Sequence, residues 1–438
     1  MADILPLRAL RYDASRIGDL SRVLSPPYDV LSGADEEALR AAHPRNFVRL
    51  ILPREEAGLD RYRASARLLS DWRADGTLHR DPAPAFYFYE QEYRLRDPAP
   101  LRRRGVFTLV RLHDFSEGIV LPHEQTLPGP REDRYRLLEA TEAHFDPIFG
   151  LYSDAAGTVD RLFAEAARGP AIASAAGADG VAHRLWATER AADLSAIRAA
   201  LDGKWVLIAD GHHRYESALR YARSRSAPAG ATRSFDYVLM VLCSIESRGL
   251  TVLPIHRLVH SLPVFRPAGW LRALEAWFER RELDLPADRV RAAQVIEESL
   301  APRRAAGGAF VAATGTRQAH VLELRPGFDR DRELGACVPA PLRGLDVSLA
   351  HALILERALS ITPEQQLSQA RLRYSKDAAS ALAELDSGAI QAALFMNPTP
   401  IEAVVEVTRS GLRLPPKSTF FHPKLISGLV IHPFDNEG

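Results

Sequence analysis

The run Trp205-Val-Leu-Ile-Ala-Asp-Gly-His-His-Arg-Tyr-Glu-Ser-Ala-Leu219 changes character in its middle. Val206-Leu-Ile-Ala209 is a short unbroken apolar segment, the pattern of a strand buried on both faces. From Arg214 onward Tyr215, Ala218, Leu219 and Ala222 recur at helical spacing. Between strand and helix stand Asp210, Gly211, His212, His213 and Arg214. Glycine lets the backbone bend sharply or approach a ligand closely. The first amides of a helix lack intrahelical partners and carry partial positive charge. With two imidazoles and a guanidinium added, this turn reads as a phosphate pocket.

The segments on either side continue the alternation. Ala85-Phe-Tyr-Phe-Tyr89 and Arg104 to Arg111 are rich in strand-forming residues, and the polar connection Asp97 to Arg103 makes them a long hairpin. Arg102-Arg-Arg104 is expected as a solvated loop. Asp146-Pro-Ile-Phe-Gly-Leu-Tyr152 and Asp236 to Glu246 read as further buried strands, and Asn46-Phe-Val-Arg-Leu50 alternates like one. Residues 59–76 and the segment from Glu132 to His144 are helical in pattern. Trp270 to Arg281 and Ala287 to Leu300 also read as helices, after a change of pattern that puts a boundary near Pro267. The expected fold class is α/β (α+β), with domains at 1–266 and 267–438.

Lys plus Arg and Asp plus Glu are both 56, so no long-range field gathers nucleic acid. Cys243 and Cys337 are far apart and in no metal-type spacing, which points to a reducing compartment. The N-terminus lacks the basic and apolar regions of a signal peptide, and no apolar run is long enough to span a bilayer. A soluble, cytoplasmic protein with no membrane partner is expected. The lysines are Lys204, Lys376, Lys417 and Lys424; arginine carries the rest of the basic charge.

Three more stretches carry chemistry. Leu24-Ser-Pro-Pro-Tyr-Asp-Val30 is stiffened by its prolines and could present Tyr28 and Asp29 to a ligand. Leu121-Pro-His-Glu-Gln-Thr126 is kept irregular by neighbouring Pro and Gly, and a loop carboxylate beside an imidazole suits a general base. Leu414-Pro-Pro-Lys-Ser-Thr-Phe-Phe-His-Pro-Lys424 combines lysines and hydroxyls with Phe420 and Phe421, so this tail is expected to dock.

The set Ser25-Pro-Pro-Tyr-Asp-Val30, His123-Glu-Gln-Thr126, Pro147-Ile-Phe-Gly-Leu-Tyr152, Asp210-Gly-His-His-Arg-Tyr215 and Pro416-Lys-Ser-Thr419 resembles a widespread bacterial family of undefined function. Pro122-His-Glu-Gln125, Ile208 to Arg214, Arg373-Tyr-Ser-Lys-Asp377 and Pro416-Lys-Ser-Thr419 also resemble motifs of the archaeal free L-serine kinases. That resemblance implies a ParB/sulfiredoxin-like nucleotide-binding core, here with an inserted β-hairpin and a second α/β domain at the C-terminus. It implies ADP or ATP as phosphate donor, Mg2+, and serine or a related hydroxyl metabolite as acceptor. By motif, Glu124 would be the base, with Asp210 and His213 beside it in catalytic roles and Asp210 on the metal. Gly211, His212, His213, Arg214, Lys417, Ser418 and Thr419 would hold the nucleotide phosphates. Tyr28, Asp29, His123 and Thr126 are the candidate substrate residues.

Phosphoryl transfer needs positioning and charge neutralisation more than covalent chemistry, and these residue types supply both. Two other readings remain open. One is a ParB-like nucleotide-binding regulator without kinase activity. The other is a metal-dependent phosphoester hydrolase with Asp210, His212, His213 and His123 as ligands.

Overall fold

Apolar strands without an alternating polar face must be covered on both sides, and here they form the middle of a large mixed sheet. The computed structural model describes residues 2–56, 58–96, 99–126, 128–225, 233–315 and 317–434. Among them the chain forms two units. One comprises Met1–Pro122, Thr126–Thr251 and Pro423–Gly438; the other comprises His123–Gln125 and Val252–His422.

The first unit is built on a nine-stranded sheet. In spatial order it runs Val120–Pro122, Val206–Asp210, Ile148–Tyr152, Tyr237–Ser244, Leu101–Arg111, Phe86–Tyr93, Ala182–Thr188 and Ala173–Ala176, with Ile4–Leu5 paired to the end of Leu101–Arg111. Val206–Asp210 is parallel to Val120–Pro122 and antiparallel to Ile148–Tyr152, which is itself parallel to Tyr237–Ser244. The strand expected at Val206 to Ala209 is therefore interior, and Val206, Leu207 and Ile208 are fully buried. Gly150 faces this packing: a Cβ there would meet Leu242 Cδ2 at 2.6 Å and Val206 Cγ1 at 2.9 Å.

The hairpin forms as expected, Phe86–Tyr93 against Leu101–Arg111, although Asp97 and Pro98 lie outside the described residues. Its strands lie inside the sheet, flanked by Tyr237–Ser244 and Ala182–Thr188. Arg102-Arg-Arg104 is strand rather than solvated loop, and alternation explains the difference. Arg102 and Arg104 pair with Glu92 and Glu90 at 2.9 Å, while Arg103 points to the opposite face and is buried.

Asn46 to Leu50 is also not a strand. Val48–Ile51 is one helical turn, because Asn46 Oδ1 accepts the Val48 amide at 3.0 Å and offers the backbone a local alternative to a ladder. The helix expected from Glu132 to His144 runs Pro128–Thr141 and gives way to a short strand, Ala143–His144.

The second unit has a six-stranded antiparallel sheet in the order Phe278–Asp284, Gln318–Leu324, Ala309–Ala313, Ala392–Met396, His256–Val259 and Leu372–Ser375. Helices Arg289–Leu300 and Ala378–Asp386 contribute Ala292, Ile296, Ala381 and Leu382 to its core. The helix expected over Trp270 to Arg281 ends at Leu274, and Phe278–Asp284 is an edge strand. Its exposed Glu279, Arg280, Arg281 and Glu282 suit an edge, since charges there discourage pairing with another chain. The units divide after Thr251 rather than near Pro267, because His256–Val259 pairs within the second sheet. Pro423 onward belongs to the first unit, where Ile431 exchanges backbone hydrogen bonds with Leu10. Among the described residues no helix is long and apolar enough to cross a membrane.

Candidate functional site

In the first unit, Val206–Asp210 ends at a positive-φ turn that glycine adopts at no steric cost, Gly211 at φ 97°. Helix His212–Ser224 starts immediately afterwards, two residues earlier than its apolar periodicity indicates. A Cβ at position 211 would meet the Arg214 guanidinium at 3.0 Å. The turn thus holds Arg214 over its own backbone. Arg214 Nη2 donates to Asp210 Oδ2 at 3.0 Å, and its Nη1 donates to the Pro147 carbonyl. Asp210 Oδ1 accepts from Lys424 Nζ at 2.6 Å.

Lys424 is a residue that motif reading missed. Its place is set from below: Gln91 Nε2 donates to the Lys424 carbonyl at 2.8 Å, and Arg103 donates to the Pro423 carbonyl. Gln91 and Arg103 are directly opposed in the hairpin, and Arg103 Nε also donates to Gln91 Oε1 at 3.0 Å. Neither has a local sequence signal for this role. Lys424 has a faint one, its rarity in an arginine-dominated chain.

Burial pushes the Asp210 carboxyl up, but Lys424 and Arg214 outweigh it and hold it well below the ordinary range. A carboxylate depressed on folding contributes stability above its unfolded value of about 3.9 and loses it as pH falls through the folded value. Asp210→Asn should therefore be less stable at pH 7, with a urea midpoint that changes less than the wild type's between pH 4 and pH 2. Parallel curves would remove Asp210 from the acid response.

Tyr28 lies under the Arg134 guanidinium, 4.1 Å from its ring centroid, and burial followed by Asp29 pushes its phenol up to about 12. Desolvation raises the Asp29 carboxyl, and the Asp210 carboxylate adds to this. Tyr28, Asp29, Asp210 and Arg214 thus form one electrostatic group. Thr126 is committed differently, its hydroxyl donating to Glu216 Oε2 at 2.7 Å.

The second unit brings together residues nearly three hundred positions apart. His123 is buried, its Nε2 hydrogen-bonded to Thr419 Oγ1 at 2.8 Å and its ring edge-on to Phe421. The Lys417 amide donates to Glu124 Oε1 at 3.3 Å, and the Leu414 amide to the His123 carbonyl at 2.9 Å. Lys417 is at φ 58°, left-handed for a residue with a side chain. Thr399 holds the Ser418 carbonyl at 2.8 Å, and Ser418 Oγ donates to Pro415 at 2.6 Å. The tail is docked as expected, with Phe421 buried. A carboxylate that accepts an amide through one oxygen keeps a second oxygen with which to take a proton, beside a turn carrying an exposed ammonium and two hydroxyls.

The surroundings of Asp210 do not fit a magnesium ion as they stand, because each oxygen already accepts from a cation. Among the described residues no group of three or more His, Cys, Asp or Glu could hold a metal, including the set that the hydrolase reading requires.

The family profile described as "Protein of unknown function (DUF1015)" matches residues 4–348. No curated protein matches the chain. Among solved structures, a conserved hypothetical protein from Pyrococcus furiosus is 15% identical, over 72% of this chain and 90% of that one, at a TM-score of 0.33. A free serine kinase in complex with AMP is 14% identical, over 72% and 86% of the two chains, at 0.34. SbnI with C-terminal truncation from Staphylococcus aureus is 10% identical, over 76% and 90%, at 0.33. Likenesses this distant leave activity to be argued from the residues.

Proposed function

The chain belongs to the DUF1015 family of proteins of unknown function, and from that premise we propose that it is a phosphotransferase. It takes ADP or ATP and passes the terminal phosphoryl group to the hydroxyl of serine or a related small metabolite. The reading includes a ParB/sulfiredoxin-like core and a cytoplasmic setting.

The observation that carries it is the pairing of Glu124 with the Lys417 amide, beside His123 on the Thr419 hydroxyl. A proton acceptor is held against a turn whose lysine and hydroxyls suit a phosphate. Glu124 takes the proton of the acceptor hydroxyl as its oxygen attacks phosphorus. Lys417, Ser418 and Thr419 offset charge on the phosphoryl oxygens. Within the first unit, Gly211, His212, His213 and Arg214 carry the amides and cationic side chains that suit nucleotide phosphates. Asp210 fixes Arg214 and Lys424 as their counter-ion, and Tyr28 and Asp29 of the same unit are its candidate ligand-facing residues. Magnesium, expected from the resemblance to the kinases, is left to the nucleotide's own phosphates.

The test is phosphorus NMR of the purified protein with ADP or ATP, magnesium and an amino-acid pool. A new phosphomonoester signal is expected. Nucleotide left intact with every acceptor would exclude the kinase and favour a nucleotide-binding regulator.

A further inference from the structure

Arg257 lies on strand His256–Val259, between Tyr374 and Leu394 of the neighbouring strands, and only 1% of its surface is exposed. Its Nη1 donates to the Ile255 carbonyl and contacts Met396 Sδ at 3.1 Å. Its Nη2 donates to the Lys417 carbonyl and to His351 Nε2, each at 3.1 Å. Its Nε is buried with no hydrogen-bond partner. Among the described residues no carboxylate pairs with this guanidinium. Burial pulls its pKa down to about 10, which leaves it charged at neutral pH.

His351 cannot supply the missing negative charge. A guanidinium only donates, so His351 Nε2 accepts and the ring is neutral; burial and then Arg257 hold its pKa well down. It sits in Ala350–Arg357, a π-helical segment of a kind that recurs at functional sites. The Tyr374 ring lies 5.5 Å from the guanidinium and adds only its π-face. Arg214 and Lys424 in the first unit, by contrast, share the carboxylate of Asp210. Arg257 has instead the carbonyl of Lys417, in the turn that also carries the exposed Lys417 ammonium. Among the described residues, the carboxylate hydrogen-bonded to that turn is Glu124. Two cations against one acid leave the turn positively charged.

We infer that Arg257 is the buried counter-charge of an anion site at the Lys417–Thr419 turn, and that the anion is a phosphate group. This rests on the phosphate-handling reading of that turn. Arg257 acts in two ways. It holds the Lys417 carbonyl and so maintains the left-handed backbone that turns the amide toward Glu124. It also supplies positive potential from behind the turn, where salt screens it little. Arg257 is thus a positioning residue, and the ligand does not touch it.

The experiment is calorimetry of the full chain with pyrophosphate and with ADP, at low and high salt, for wild type, Arg257→Met and Arg257→Lys. A buried charge with no paired acid carries a desolvation cost that an apolar side chain does not, and its relief offsets the lost hydrogen bond to the Lys417 carbonyl. Arg257→Met is therefore expected to melt at or above the wild-type temperature, yet bind pyrophosphate about tenfold more weakly at both salt concentrations. Arg257→Lys keeps the charge and should recover most of the affinity. A plain structural strut behaves oppositely, with a lower melting temperature and unchanged affinity of the folded protein. That result, or a failure of lysine to recover affinity, would overturn the inference and leave the phosphotransferase reading intact. If Arg257→Met does not fold, Arg257→Lys decides alone: near-wild-type affinity supports the inference and lost affinity overturns it. Wild type that binds neither probe overturns this inference together with the proposed function. Binding without phosphoryl transfer removes only the kinase.

Discussion

Glu124→Gln should lower turnover by about 10²–10⁴-fold, the usual contribution of a general base, while nucleotide affinity stays nearly constant. The structure makes this substitution unusually clean. Glu124 accepts the Lys417 amide through one carboxylate oxygen, and a glutamine carbonyl can accept the same hydrogen bond. The Pro-Lys-Ser-Thr turn therefore keeps its anchor, and what disappears is the ability to take a proton. Steady-state rates from a coupled assay, paired with calorimetry for nucleotide, separate the two effects. A residue that only binds would lose affinity as well as rate. Wild-type turnover in Glu124→Gln would rule out the proposed base.

Arg214→Ala should weaken nucleotide binding by roughly 1.5–3 kcal/mol, the range for a charge-assisted hydrogen bond, or one to two powers of ten in Kd. Arg214 bridges Asp210 and the Pro147 carbonyl, so its removal leaves Asp210 to Lys424 alone. Thermal melting must accompany the calorimetry, so that a loosened fold is not mistaken for a lost ligand contact. Arg214→Lys restores the charge but not the two-point fork, and should recover only part of the affinity. Unchanged affinity in Arg214→Ala would remove the Asp210–Arg214 turn from the nucleotide site.

The elements legible in the sequence are those whose cause is local. Val206-Leu-Ile-Ala209 has no polar face to offer water, so it could only be an interior strand, and Gly211 marks where it had to turn. The aromatic alternation of Phe86 to Tyr89, followed by the run to Arg111, gave the hairpin for the same reason. Errors arose where a local pattern fits two environments. Arg102-Arg-Arg104 looks like a solvated loop until Glu90, Glu92 and Gln91 arrive on the facing strand. Phe278–Asp284 continues an apparent helix in sequence but is held as an edge strand by Gln318–Leu324.

By itself the sequence determined that this is an α/β protein with a polar strand-to-helix turn, and it nominated Glu124, Asp210 and Arg214 by residue type and Lys417 through the motif resemblance. Tertiary structure alone decided what those side chains touch. Glu124 meets Lys417 across 293 residues and Asp210 meets Lys424 across 214, separations over which no periodicity or spacing carries a signal. Arg257 is the clearest case. Within its strand it reads as one more arginine, and its meaning comes from having backbone carbonyls and a neutral imidazole as partners and, among the described residues, no paired acid. Charge is written in the sequence, but whether a charge is compensated depends on what folding brings within a few ångströms of it.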